Sequence, residues 1–176
     1  MESHLPPPHY LPAKFADFLE HWQSLRVDGA VPRLAAFLDN VVPAFQPWVG
    51  IVDVNDRDFH EIRLMGTGLV ACFGFDGTGK NFLTFPSPDA DSRVRRRHSV
   101  VPATPCGSFY RSVCVTSTGR EIEIIGMALP LVRSNGGPCV VWILELQAVL
   151  GFGETGTGIK QVFDERWIDI GSGVPE

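Results

Sequence analysis

Three stretches, Gly107 to Ser117, Arg120 to Leu131 and Cys139 to Val149, are rich in β-branched and apolar residues and are separated by Thr118-Gly119 and by Ser134-Asn135-Gly136-Gly137. Breaks of this composition between strand-like stretches are turn signals, so this part of the chain is expected to be a three-strand antiparallel meander. The last stretch contains Val140-Val141-Trp142-Ile143-Leu144, apolar at every position. A strand that is apolar on both faces needs cover on both, as a central strand or one capped by a partner has.

Upstream the period changes. Phe15, Phe18, Leu19, Trp22 and Leu25 recur at three- and four-residue spacing, which predicts an amphipathic helix ending near Gly29. A shorter apolar stretch, Leu34 to Val42, is bounded by Pro32 and Pro43. Val49 to Val54 and Phe59 to Met65, either side of Asn55-Asp56, read as two adjacent antiparallel strands. Residues 66–100 are rich in Gly, Pro and Asp and suit helical turns and loops, with one better helix candidate from Asp91 to Val100. The expected fold is α+β: a five-stranded antiparallel sheet with helices on one face and an N-terminal helical cap. The organisation that follows is a flexible proline-rich tail (1–12), the helical cap (13–44), the sheet domain (45–149) and a Gly-rich, weakly ordered C-terminal tail (150–176).

A chain of 176 residues has room for one well-buried core. Fifteen basic against twenty acidic residues leave a net charge of −5, so no global field draws it to nucleic acid or an anionic membrane. The longest apolar run falls short of the ~20 residues that a membrane helix needs, and Pro6, Pro7, Pro8 and Pro12 read against a secretory signal. The expected address is cytoplasmic. Cys72, Cys106, Cys114 and Cys139 form no C-x-x-C pair and have no His at zinc spacing, so they read as buried thiols.

Residues 74–81, Gly-Phe-Asp-Gly-Thr-Gly-Lys-Asn, nearly match the phosphate-cradling pattern G-x-x-x-x-G-K-[ST]. Asn81 replaces the hydroxyl that would hold Mg²⁺, and Pro86 and Pro88 stop the required helix within two turns, so a turn-rich loop is the better reading. The run Arg93, Arg95, Arg96, Arg97 suits an anion or an acidic partner, but a solvated helix face is the ordinary alternative. Of the five histidines, His98 stands beside the expected sheet, where an imidazole can act as a ligand; a surface position is the ordinary alternative. No Ser, His and Asp set announces a hydrolase, although such groups converge only in space.

The order helix, two strands, turn-rich helical stretch and three-strand meander is that of a PAS domain. Three strings add to the likeness. Phe15 to Arg26 with Val31-Pro32-Arg33 resembles the N-terminal cap of a bacterial family of short, single-PAS proteins. Ile62 to Leu69 followed by Gly74 to Asn81 is similar to that family's second strand and turn, and Ala128-Leu129-Pro130-Leu131 to the end of its penultimate strand. The resemblance implies a cavity between sheet and helices and service as a sensor or protein-binding module, often dimeric. Phe82 stands where flavin photosensors carry their reactive Cys, which removes the photochemical adduct. With no kinase, cyclase or DNA-binding stretch after the meander, output is expected to pass through a signalling partner protein.

The expected ligand site is apolar: Ile62, Leu64, Phe73, Phe82, Ile124 and Trp142, with His98 as a polar contact. No cofactor is assigned. Strand parity, uncertain by one residue, decides which side chains face the cavity. A homodimer is expected through the N-terminal helix, whose Phe15, Phe18, Trp22 and Leu25 exceed what a short peripheral helix needs. The functional expectation is a non-enzymatic sensory or regulatory domain binding a small ligand, a signalling partner or both. The alternative is a small hydrolase using the same cavity.

Overall fold

The computed structural model describes residues 7–153 and 155–176; residues 1–6 of the expected proline-rich tail lie outside them. The elements run α1 (Ala13–Ser24), α2 (Leu34–Asp39), β1 (Val49–Val54), β2 (His60–Met65), α3 (Thr67–Phe73), α4 (Pro88–Ala103), β3 (Cys106–Val115), β4 (Arg120–Val132), β5 (Pro138–Phe152) and β6 (Gly158–Asp169). All six strands form one antiparallel sheet in the order β2-β1-β5-β4-β3-β6. The expected meander is β3-β4-β5, and the hairpin β1-β2 attaches to it through β5. Among the described residues, no helix is long and apolar enough to cross a membrane.

The five-stranded expectation is corrected to six. Residues 158–169, inside the stretch expected to be weakly ordered, pair with β3 from Val115↔Gly158 to Cys106↔Asp169. Their alternation is concealed by a bulge. Phe109 pairs with Arg166 but Arg111 with Phe163, and Asp164 in the extra position has φ 50°. A bulge inserts one residue and shifts everything beyond it to the other face. Val162 and Glu165 therefore share the α4 face, and Ile168 joins the opposite core.

Both faces of the sheet are covered along the first half of β5, which is why Cys139 to Leu144 are apolar at every position and buried. One core joins α1 and α2 to Ile51, Met127, Leu129, Leu131, Val141, Ile143 and Ile168. The other joins α3, α4 and the 3-10 turn Phe82–Thr84 to Val52, Ile62, Ile122, Ile124, Val140, Trp142 and Val162. Helix α1 lies outside the α3–α4 core, on the opposite sheet face, as its period requires. Phe15, Phe18, Leu19 and Trp22 recur at i, i+3, i+4 and i+7, and all are fully buried. Trp22 Nε1 donates to Pro130 O at 2.8 Å. The stripe expected to meet a second copy is thus covered by the chain's own sheet, and the surface that motivated a dimer through this helix is already spent.

The loop 74–81 that imitates a phosphate cradle is a turn along the outer edge of β2. Ile62 N donates to Lys80 O, and Gly79 N to Ile62 O. Asn81 Oδ1 accepts from His60 N and Leu83 N, while its amide donates to Asp58 O. Its side chain is committed to holding the loop.

Candidate functional site

Between the sheet and α3–α4 lies a cavity of about 60 Å³. Six of the seven expected residues line it: Ile62, Phe73, Phe82, His98, Ile124 and Trp142. Leu64 does not. Ile51 pairs with Leu64 and Val52 with Ile62, leaving Arg63 as the extra residue of a bulge, so Ile62 and Leu64 face opposite sides. Leu64 instead borders a depression of about 260 Å³ under α2, with Phe37, Phe45 and Ile51. That depression is larger, but among the described residues the buried side-chain nitrogens without a hydrogen-bond partner, on Arg97, Arg120, Arg133 and Trp142, all lie outside it.

The sheet makes room for two large rings by placing glycine opposite them. Gly50 pairs with Trp142 and Gly126 with Tyr110. A Cβ at Gly50 would overlap the six-membered ring of the Trp142 indole, and one at Gly126 would lie 2.6 Å from Tyr110 Cζ and 2.7 Å from Leu144 Cδ2. The rings therefore lie across bare backbone and form part of the cavity wall. Gly126→Ala is expected to overpack this wall and cost about 1–3 kcal/mol. Calorimetry should read this as a fall in Tm of roughly 2–4 °C per kcal/mol; an unchanged Tm would show that the ring can retreat at no cost.

Apart from His98, sequence reasoning missed the polar side of the cavity. Arg97, read as part of a solvated run, points inward and is 3% exposed. Its guanidinium carbon lies 3.4 Å from the centre of the Tyr110 ring. Its Nε donates to Glu165 Oε1 at 2.7 Å, and Ser108 Oγ donates to the same oxygen at 2.9 Å. Of the rest of the run, Arg93 is exposed, Arg95 pairs with Asp91 and Asp58, and Arg96 lies over the Trp167 ring. A four-residue count could have identified Arg97, because Val94, Arg97, His98 and Val101 share the buried stripe of α4.

His98 is buried, not at the surface, and its Nδ1 stands 2.8 Å from Nδ1 of His60. One of these nitrogens donates and the other accepts, so the accepting ring is neutral and the bond cannot survive protonation of both rings. Burial, the adjacent His60 and Arg97 push the His98 pKa well below 6.5, while burial and, to a lesser extent, Arg95 lower that of His60 against the opposing Asp56 and Asp58. A histidine whose folded pKa lies below its unfolded value binds fewer protons when folded, so stability is full above about pH 6.5 and falls as pH drops through that value. Urea unfolding at pH 7.0, 6.0 and 5.0 should show this decline, and His98→Gln should flatten it; equal slopes in both proteins would remove the pair as its source.

Ser112 and Cys114 also line the cavity. Burial pushes the Cys114 thiol up to about 12, the opposite of an activated nucleophile. Among the described residues, no group of three or more His, Cys, Asp or Glu side chains is placed to hold a metal ion. Comparisons with family models, with curated proteins and with solved structures gave no match.

Proposed function

We propose that the chain is a PAS-type sensory or regulatory domain that takes a small ligand into the cavity between its sheet and α3–α4 and passes the signal on through contact with a partner protein. The observation that carries this reading is the cavity's make-up: apolar and aromatic walls with a few polar groups, Arg97, His98, Tyr110 and Ser112, at one site. Ligand pockets have this composition, with polar groups fixing orientation. The sequence order of two strands, a helical stretch and three further strands supports the family resemblance. At about 60 Å³ the free space is well below the roughly 300 Å³ of an ordinary pocket, so it receives one end of a ligand unless the half-buried Phe75, Phe82 and Phe85 move outward.

The test is mass spectrometry of what the purified protein releases on denaturation, set beside Ala128→Met, which fills the cavity at a fully buried position. A small molecule that accompanies the wild type and is lost from the variant supports sensing. Ester or phosphate turnover that disappears on substituting Ser112 or His98 would replace this reading with the hydrolase.

A further inference from the structure

The sheet ends laterally at β2 and β6, and it is also open along part of β5. The outer edge of β2 is closed by the loop 74–81 through Ile62 N to Lys80 O and Gly79 N to Ile62 O. Strand β6 starts against Phe85 and Ser87, then carries Lys160, Asp164 and Arg166 and is broken by the bulge at Asp164. Covering loops, charges and bulges are ordinary means of keeping an edge from pairing with another chain. The open part of β5 has fewer of them. Strand β1 pairs with β5 only from Cys139 to Ile143, and Lys14 Nζ donates to Leu144 O at 3.0 Å. Among the described residues, no strand pairs with 145–152 on the side away from β4.

This open edge is apolar. Residues 146–153, Leu-Gln-Ala-Val-Leu-Gly-Phe-Gly, carry no charge, and Leu146, Val149, Leu150 and Phe152 are 37%, 42%, 49% and 75% exposed. Leu146 pairs with Ile124 and Val149 with Ile122, both in the α3–α4 core, and Phe152 pairs with Arg120. Directly opposed residues of an antiparallel pair share a face. Two bulges therefore turn a spacing of two on β4 into a spacing of three on β5, and they set Leu146, Val149 and Phe152 in a row on one face. Left bare, such an edge is a template for pairing with another chain.

Charge and symmetry select a second copy. A two-fold axis perpendicular to the sheet brings two identical edges together antiparallel and keeps their α3–α4 faces on the same side. Centred on Val149, it sets Leu146 against Phe152 of the second copy, Val149 against its counterpart and Glu145 against Gly153. Apolar side chains meet apolar ones, and no like charges are opposed. The two-fold also closes, whereas a head-to-tail arrangement would grow into filaments.

We propose that residues 145–152 of β5 are the contact between two copies of this chain, paired antiparallel about a two-fold axis at Val149 so that their sheets become continuous. At about 3.4 Å per residue the shared edge is roughly 27 Å long. A strip this short reaches only the low end of specific interfaces, below about 1,200 Å² in total, which suits a transient pair of micromolar affinity. The pairing does not depend on whether the cavity takes a ligand.

Sedimentation velocity of the full chain, from low micromolar to near-millimolar concentration, is expected to show monomer passing into dimer. Val149→Lys places two ammonium groups face to face on the axis, and Phe152→Lys removes the apolar contact at each end. Each should weaken association about tenfold or more while leaving Tm unchanged, because both side chains are exposed. Val27→Lys is the control: Val27 is 71% exposed and follows the end of α1 remote from Lys14 and Leu144, so this variant should dimerise as the wild type does. A wild type that remains monomeric at the highest concentration overturns the proposal, as does a dimer that survives both β5 variants. Growth beyond the dimer overturns the two-fold arrangement. Should Val149→Lys lower Tm, the more exposed Phe152→Lys decides.

Discussion

Arg97→Ala is expected to destabilise the chain by about 3–5 kcal/mol, the cost of removing one partner from a buried ion pair. The side chains of Arg97 and Glu165 are 4% and 9% exposed, so solvent does little to screen the charge that is left behind. Glu165 would retain only the Ser108 hydroxyl, and Tyr110 would lose the guanidinium over its ring. In a chain of this length the corresponding fall in Tm is roughly 6–20 °C. The double variant Arg97→Met, Glu165→Leu should recover most of the loss, because exchanging a whole buried pair for apolar side chains is close to neutral. Chemical denaturation of Arg97→Met, Glu165→Leu and the double variant gives the cycle. A cost under about 1 kcal/mol for Arg97→Ala would mean that the pair behaves as a surface one.

Trp22→Ala should cost a similar amount, about 3–5 kcal/mol, as expected for a large aromatic removed from a close-packed core. Its ring is fully buried, and its loss also leaves Pro130 O without the indole donor. Trp22→Glu and Phe18→Glu go further by placing a carboxylate beneath α1. They are expected to unfold the chain without dissociating anything, seen as loss of the circular dichroism signal at every protein concentration. A folded Trp22→Glu protein that sediments as a monomer, beside a dimeric wild type, would return α1 to the role of an interface.

The periodic parts of the fold were legible in the sequence, and the irregular ones were not. Helix α1 and strands β3, β4 and β5 follow from hydrophobic period and turn residues alone. Two bulges account for what could not be read. Arg63 shifts Leu64 away from the cavity that Ile62 enters, and Asp164 disguises β6 while turning Glu165 toward Arg97. An inserted residue breaks the two-residue period without leaving a mark in composition. The apolar wall of the site was therefore open to sequence reasoning. Its polar side depends on Arg97 and Glu165, 68 positions apart, which only the register of β6 brings together.

Strand β6 also sets the order in which the cavity can be completed during synthesis. Its first residues hold the chain leading into α4: Ile159 N donates to Phe85 O, Ser87 N to Ile159 O and Ser87 Oγ to Lys160 O. Its middle carries Glu165. Residues 158–169 leave the ribosome after every other element of the sheet, and contacts so far apart in the chain form late because closing long loops costs entropy. A nascent chain that has reached β5 holds all three strands of the meander, yet its Arg97 has no carboxylate and the entry to α4 has no anchor. A chain shortened before Gly158 is expected to retain much of its sheet but not a closed cavity.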